Sequence, residues 1–208
     1  MQRTMNSIRF NGQYLFPSKV VCAGRNYLEH IEELRNEKPE QLVLFVKPNS
    51  AITDQLRLHK HDEIHFEAEI CFLMQDGRYA GVGFGLDLTK RGLQSQLKSR
   101  GLPWERAKAF DGAALFSEFV SIAGDIDQLG LELWIDGELR QHGQVEQMLF
   151  KPAQILDEIK SFMSLENADI VMTGTPAGVA AIRPGQNFHG KILLDQQILV
   201  EQRWTVAD

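Results

Sequence analysis

The sequence predicts a mixed α/β, β-rich fold of mainly antiparallel strands with a few flanking helices. Three observations carry this. Short apolar runs of strand length recur along the whole chain. Two Asp-Gly pairs, Asp76-Gly77 and Asp136-Gly137, each sit between such runs, which is a two-residue hairpin signal. Helical periodicity is clear at few places, so helices flank rather than dominate.

In chain order, residues 1–18 read as an N-terminal appendage and residues 19–208 as a single domain. Val20 to Ala23 is a short strand ending at Gly24. Leu28, Ile31 and Leu34 then recur at helical spacing, with Asn26 placed to cap the helix. That segment carries few apolar residues, so ordering upon ligand binding is expected of it. Leu42 to Val46 is a strand closed by Lys47-Pro48, and a polar loop runs from Asn49 to Asp62.

Ile64 to Met74 follows as a strand that carries Glu67 and Glu69 inside an apolar run. The hairpin at Asp76-Gly77 returns it through Tyr79 to Leu86, where Gly81, Gly83 and Gly85 mark a close approach of backbone or ligand. A helix starts at Asp87 or Thr89 and stops at Gly101. Lys108 to Gly112 begins a loop into the apolar run Leu115 to Ala123. Leu131 to Ile135 and Glu138 to Gln141 form the second hairpin. Pro152 opens a helix to Leu165 whose apolar stripe is Ile155, Leu156, Ile159, Phe162 and Met163. A buried strand, Asp169 to Thr173, ends in the tight loop Gly174-Thr175-Pro176-Ala177-Gly178. Pro184-Gly185 marks a turn, and two strands, Lys191 to Leu194 and Gln197 to Thr205, close the chain.

Bulk properties narrow the function. The 208 residues carry a net charge of -6 and 43% hydrophobic residues, which suits a soluble globular protein. No basic stripe points to nucleic acid, and no apolar run is long enough to span a membrane. The two cysteines, Cys22 and Cys71, sit in apolar settings and read as reduced thiols of a cytoplasmic protein.

Chemistry concentrates at the acidic pair. On a strand, Glu67 and Glu69 point to the same face. Like charges in an apolar stretch call for a cation between them, and carboxylate oxygens suit a hard divalent ion. Asp87, at the end of the return strand, supplies a third carboxylate. The plain alternative is an exposed pair on an edge strand. His59, His61 and His65 offer a competing set of imidazoles, but their polar loop favours solvent exposure. His30 and Glu33, three apart on a helix, make either a base with its orienting carboxylate or a surface pair; spacing alone favours the surface pair. Lys47 and Lys108, in apolar flanks, must reach water, a carboxylate or an anion. The Gly174–Gly178 loop offers N–H groups and the Thr175 hydroxyl to a substrate carboxylate, or is simply a turn.

The ordered set Gly24-Arg25-Asn26-Tyr27 with His30 and Glu33, Leu44-Phe45-Val46-Lys47-Pro48, and Glu67-x-Glu69 resembles the fumarylacetoacetate hydrolase family. So do Asp87-Leu88-Thr89-Lys90-Arg91 with Gln94, Gly101-Leu102-Pro103-Trp104 with Lys108, and Thr173-Gly174-Thr175-Pro176-Ala177-Gly178-Val179. The resemblance spans Val20 to Trp204 and is nearest to the small acylpyruvase and oxaloacetate decarboxylase branch.

It implies a β-roll, a homodimer, and one Mg²⁺ or Mn²⁺ ion per chain held by Glu67, Glu69 and Asp87. It implies that His30 and Glu33 activate water from a lid, that Lys108 is catalytic, and that Arg25, Lys47, Gln94 and Thr175 line a pocket for a small 2-oxo acid. The expected reaction is C–C hydrolysis of acylpyruvates. The alternatives are oxaloacetate decarboxylation or tautomerisation, and an inactive binding or scaffold protein. Gly92 stands where the family often has Asp, and Asp111 to Phe116 lacks its Pro-rich stretch; both are expected to reshape the pocket.

Overall fold

The computed structural model describes residues 5–34, 37–59, 62–122 and 124–207. It is β-rich, with four α-helices among those residues. The central sheet runs in the order Val43–Pro48, Lys19–Gly24, Ile170–Met172, Ala68–Gln75, Arg78–Asp87, Ala114–Phe116, Ile52–Thr53. Val120–Ser121 also pairs with Arg78–Asp87. Two pairings, Ile170–Met172 with Lys19–Gly24 and Ala114–Phe116 with Ile52–Thr53, are parallel; the others are antiparallel. A four-stranded antiparallel sheet, Glu138–Gln144, Leu129–Ile135, Asn187–Leu194 and Gln197–Thr205, packs against it. No described helix is long and apolar enough to cross a membrane.

Both expected hairpins form. Asp76 and Gly77 have φ of 51° and 71°, and Asp136 and Gly137 have 52° and 86°. Two consecutive left-handed residues match the right-handed twist of the flanking strands. Asn11-Gly12 does the same, with φ of 46° and 79°. It turns Ile8–Phe10 back onto Gln13–Leu15, a hairpin inside the segment read only as an appendage.

Several boundaries differ from the sequence reading. The expected strand from Ile64 to Met74 breaks at Glu67 into Ile64–Phe66 and Ala68–Gln75. The first piece pairs with Thr89–Lys90 and Ala180–Ala181 in a separate three-stranded sheet. The helix after Asp87 begins only at Arg91, because Thr89 and Lys90 are held in that sheet. It ends at Ser99 in a Schellman arrangement, with Gly101 N–H on Lys98 O and Leu102 N–H on Leu97 O. The Pro152 helix stops at Phe162 because Met163 is extended, and Phe162 is exposed rather than part of the buried stripe. Asn26 does not cap the Leu28–Glu33 helix. Its buried amide instead donates to Phe150 O and Thr173 O and accepts from Phe150 N–H. The helix itself is formed, with Ile31 in the core.

The main core lies between the two large sheets, where Ile70, Phe72, Phe84 and Leu86 meet Leu131, Leu133, Ile135, Phe188, Ile192 and Trp204. On the opposite face, Val20, Cys22, Cys71, Leu73 and Met172 pack with Ile8 and Phe119. The glycine stripe serves this second layer: a Cβ on Gly81 would lie 2.9 Å from the Phe10 ring, and one on Gly83 3.0 Å from Phe119. The close approach there is by aromatic side chains. At the seam between the sheets the Phe84 ring lies flat on Gly190, and a Cβ at that position would overlap it. Gly190→Ala is therefore expected to destabilise the protein by roughly 1–3 kcal/mol through overpacking, read as a lower urea midpoint at unchanged slope.

Candidate active site

Glu67, Glu69 and Asp87 converge. All are buried, and each offers an oxygen within 4.8 Å of the others. The convergence follows from register. Glu69 faces Gly85 across the hairpin, so Asp87 lies one inward-pointing step beyond it. Glu67 sits at the break between sheets, where its carbonyl accepts from Asp87 N–H at 2.8 Å.

Cations surround the trio. Lys108, at the end of the four-residue helix Glu105–Lys108, donates to Glu67 Oε2, Asp87 Oδ2 and Thr89 Oγ1, each at 2.7 Å. Lys47 Nζ lies 2.8 Å from Asp87 Oδ1 and also donates to Lys108 O. Arg91 pairs with Glu67 Oε1 and donates to Gln94 Oε1. Both lysines thus reach carboxylates. Lys47 is fully buried behind Asp87 and does not line the cavity.

The carboxyls are not equivalent. Burial alone would raise Glu67, but Lys108, Arg91 and His30 overcome it and hold the group well below the usual range. Burial raises Glu69 too, and the charges of Asp87 and Glu67 push it further; the Gly174 N–H at 2.6 Å and Lys108 offset only part. Asp87 Oδ1 is buried and is met by the Lys47 ammonium at 2.8 Å. Three hard oxygen donors within reach of one another, one of them destabilised by its neighbours, fit a divalent ion.

A cavity opens over the trio, with a free volume of about 40 Å³. Arg25, His30, Arg91, Gln94, Lys98, Trp104 and Thr175 are among its walls. His30 Nδ1 is 3.3 Å from Glu33 Oε2, and Glu33 Oε1 accepts from Gly178 N–H at 3.0 Å. Burial lowers the His30 imidazole from its ordinary value, opposed by Glu67 and Glu33. The Nε groups of Arg25 and Arg91 are buried without an acceptor among the described residues. Burial together with Arg25 and Arg91 pushes the Lys98 ammonium down to about 8.

Most residues that the resemblance named thus come together, and the structure adds Arg91, Lys98, Trp104 and Gln141. Arg91 and Trp104 stand in motifs that carry the resemblance, with no role implied for them there. Lys98 carries no spacing signal. Gln141 is fully buried on the Glu138–Gln144 strand. Its Oε1 accepts from Ala68 N–H at 2.9 Å, and its Nε2 donates to Thr175 Oγ1 and Pro176 O, both at 2.8 Å.

The imidazole set does not form among the described residues. His59 is half-buried with its ring edge-on to Phe110, His65 pairs with Glu63 at 3.0 Å, and His61 lies outside those residues. Neither Gly92 nor Asp111 to Phe116 lines the cavity, so these departures lie away from its walls. Cys22 and Cys71 are buried free thiols, raised first by burial, and they pack as small hydrophobes.

The chain is similar to known proteins. The family described as fumarylacetoacetate (FAA) hydrolase C-terminal matches residues 19–202. An oxaloacetate tautomerase of Escherichia coli (strain K12) is 37% identical over 189 residues, 82% of this chain and 86% of that one. A mitochondrial oxaloacetate decarboxylase of Dictyostelium discoideum is 35% identical over 187 residues, 81% and 85% of the two chains. The crystal structure of fumarylpyruvate hydrolase from Pseudomonas aeruginosa, in complex with Mn²⁺ and pyruvate, has a TM-score of 0.90 at 28% identity, covering 100% of this chain and 97% of that one. The chain belongs to the fumarylacetoacetate hydrolase family and is an enzyme of its hydrolase, decarboxylase or isomerase type.

Proposed function

We propose that this enzyme interconverts the keto and enol forms of oxaloacetate. One observation carries the reading. A single cavity is lined by the carboxylate trio and by Arg25 and Arg91, whose Nε groups are buried and have no acceptor among the described residues. A small 2-oxo dianion answers both: its head group lies toward the trio, and its second carboxylate meets Arg25 and Arg91. The two curated relatives cited above are named for oxaloacetate.

Glu67, Glu69 and Asp87 would hold one Mg²⁺ or Mn²⁺ ion, which when bound supplies Lewis-acid stabilisation of charge on the 2-oxo oxygen. Proton movement falls to side chains. With Nδ1–H directed at Glu33, the other ring nitrogen of neutral His30 is the base. It takes a proton from C3 of the keto acid. The C–H pair becomes the C2–C3 double bond, and the carbonyl pair moves onto the 2-oxo oxygen. Lys108, whose ammonium is kept by Asp87 and Glu67 against the cost of its burial, donates the proton that completes the enol. Exchange with solvent restores both groups, and the reverse sequence returns the keto form. Thr175 and Gln94 orient the acid, and Lys47 balances Asp87.

Decarboxylation instead gives the enolate of pyruvate: the C3–C4 bond breaks, its electron pair becomes the C2–C3 double bond, and carbon dioxide leaves; no base is needed. Acylpyruvate hydrolysis is a second reading, favoured by the His30–Glu33 pair, which is arranged as a base for water activation. Acetylpyruvate carries one carboxylate and leaves the guanidinium pair unmet; fumarylpyruvate carries two.

The assay is enol absorbance, carbon dioxide release and acylpyruvate loss on one preparation with Mg²⁺ or Mn²⁺. Oxaloacetate tautomerisation is expected to lead. His30→Ala should cut it by about 10²–10⁴-fold while leaving decarboxylation within a few-fold. Fumarylpyruvate turnover above that of oxaloacetate would replace the first reading by the second. The pH profile has a definite sign: His30 acts neutral and is lowered, so the acid limb of kcat/KM should fall below the ordinary imidazole value of about 6.5. An acid limb at or above that value would remove His30 as the base. Chelation should abolish turnover. Mn²⁺ should raise the melting temperature of wild type but not of Glu69→Gln, measured calorimetrically.

A further inference from the structure

We infer that Gln141 is a positioning residue that aims the Thr175 hydroxyl at the substrate carboxylate and locks the peptide joining Glu67 to Ala68. This rests on the reading that a 2-oxo acid occupies the cavity. Gln141 contacts none of the acidic oxygens and does not itself line the cavity, so it acts through what it holds.

Consider the peptide between the two glutamates. Its carbonyl, Glu67 O, accepts from Asp87 N–H, and its N–H, on Ala68, donates to Gln141 Oε1 at 2.9 Å. Both ends of one peptide plane are pinned, at the point where the chain leaves one sheet for another. The other end of the amide settles Thr175. Because Gln141 Nε2 donates to Oγ1, that oxygen has spent a lone pair as acceptor, and its own hydrogen must go elsewhere. Within the protein its partner is Pro176 O at 3.4 Å, a long bond that already has Gln141 Nε2 on the same oxygen. An anionic oxygen in the cavity is the better acceptor.

The fold spends local irregularity on this placement. The pairing of Leu129–Ile135 with Glu138–Gln144 shifts register between Leu133 and Trp134, whose partners are Gln141 and Leu139. Arg140 is the extra residue, and a bulge of this kind re-aims the side chain beside it. The Arg140 carbonyl presses on Gly178, where φ is 104° and a Cβ would overlap it. On the same strand, a Cβ on Gly143 would lie 3.0 Å from Pro176. The strand is therefore seated directly on the Thr175 loop.

The test is a double-mutant cycle on Mn²⁺-loaded protein, with pyruvate as the probe and calorimetry as the readout. Gln141→Met and Thr175→Val should each weaken pyruvate by about tenfold. In the double variant the losses should be clearly less than additive, since only the hold on Ala68 N–H acts independently of Thr175. Additive losses, or wild-type affinity in Gln141→Met, would overturn the inference. Should Gln141→Met fail to fold, Gln141→Glu keeps the acceptor for Ala68 N–H but draws the Thr175 hydrogen onto itself. It should weaken pyruvate and raise KM for oxaloacetate more than it lowers kcat; wild-type pyruvate affinity there also overturns the inference. A wild-type protein that binds pyruvate without turning over oxaloacetate sinks the proposed activity alone and leaves the cycle readable. One that does not bind pyruvate sinks the role of Gln141 as well.

Discussion

Three buried carboxylates facing three cations set the terms for the rest of the structure. Lys108, Lys47 and Arg91 match the formal charge of Glu67, Glu69 and Asp87, but they do not share it evenly. Their contacts fall on Glu67 and Asp87. Glu69 receives one backbone N–H and the repulsion of its neighbours, so its carboxyl rises while that of Glu67 falls. Such an arrangement contributes little to stability, since desolvation of each ion offsets most of the attraction. The favourable free energy must come from elsewhere, and the apolar seam between the two large sheets supplies it. The polar cluster is an expense carried by that seam.

Register is what makes the cluster possible. A slip of one residue in the Ala68–Gln75 and Arg78–Asp87 hairpin would turn Glu69 and Asp87 to opposite faces. Two features oppose a slip. The Asp76-Gly77 turn fixes the loop length, and the stripe of Gly81, Gly83 and Gly85 admits Phe10, Phe119 and Cys71 on one face only. The N-terminal hairpin bonds across to Phe119 through Asn11 N–H and Arg9 O, so it clamps the same face far from the chemistry.

The parts legible in the sequence were those with a local cause. Asp-Gly turns, Pro152 at a helix start and Gly101 after a helix end depend on a few adjacent φ values, and residue type reports those directly. Glu67, Glu69 and Asp87 were legible because an acidic pair in an apolar run is costly unless something answers it. Asn11-Gly12 carries the same turn signal as the other hairpins, but it lies in a segment with too few apolar residues to read as more than an appendage. The break at Glu67 was not legible: a continuous apolar run does not say which neighbouring strand each half will join, and that choice is tertiary. Gln141 and Lys98 were hidden for a related reason. A glutamine in a half-exposed strand, or a lysine on a helix rich in Arg, Gln and Lys, looks like surface until the partner elements are in place.

The cavity wall carries charge of both signs, and this constrains what can dwell there. Around the acidic trio, the charges of Asp87 and Glu67 add to burial in raising the Glu69 carboxyl, although Lys108, Lys47 and Arg91 are paired within the same cluster. Along the wall, Arg25 and Arg91 add to burial in pushing the Lys98 ammonium down to about 8. A cation alone would ease the Glu69 carboxyl and leave the buried Nε–H groups of Arg25 and Arg91 unmet. An anion alone would meet those groups and add to the repulsion on Glu69. A divalent ion held by the trio together with a small anion at the guanidinium groups would answer both, and a neutral ligand neither. Under the proposed reading, this division of charge favours a compact anionic 2-oxo acid before any contact with the reacting carbon is considered.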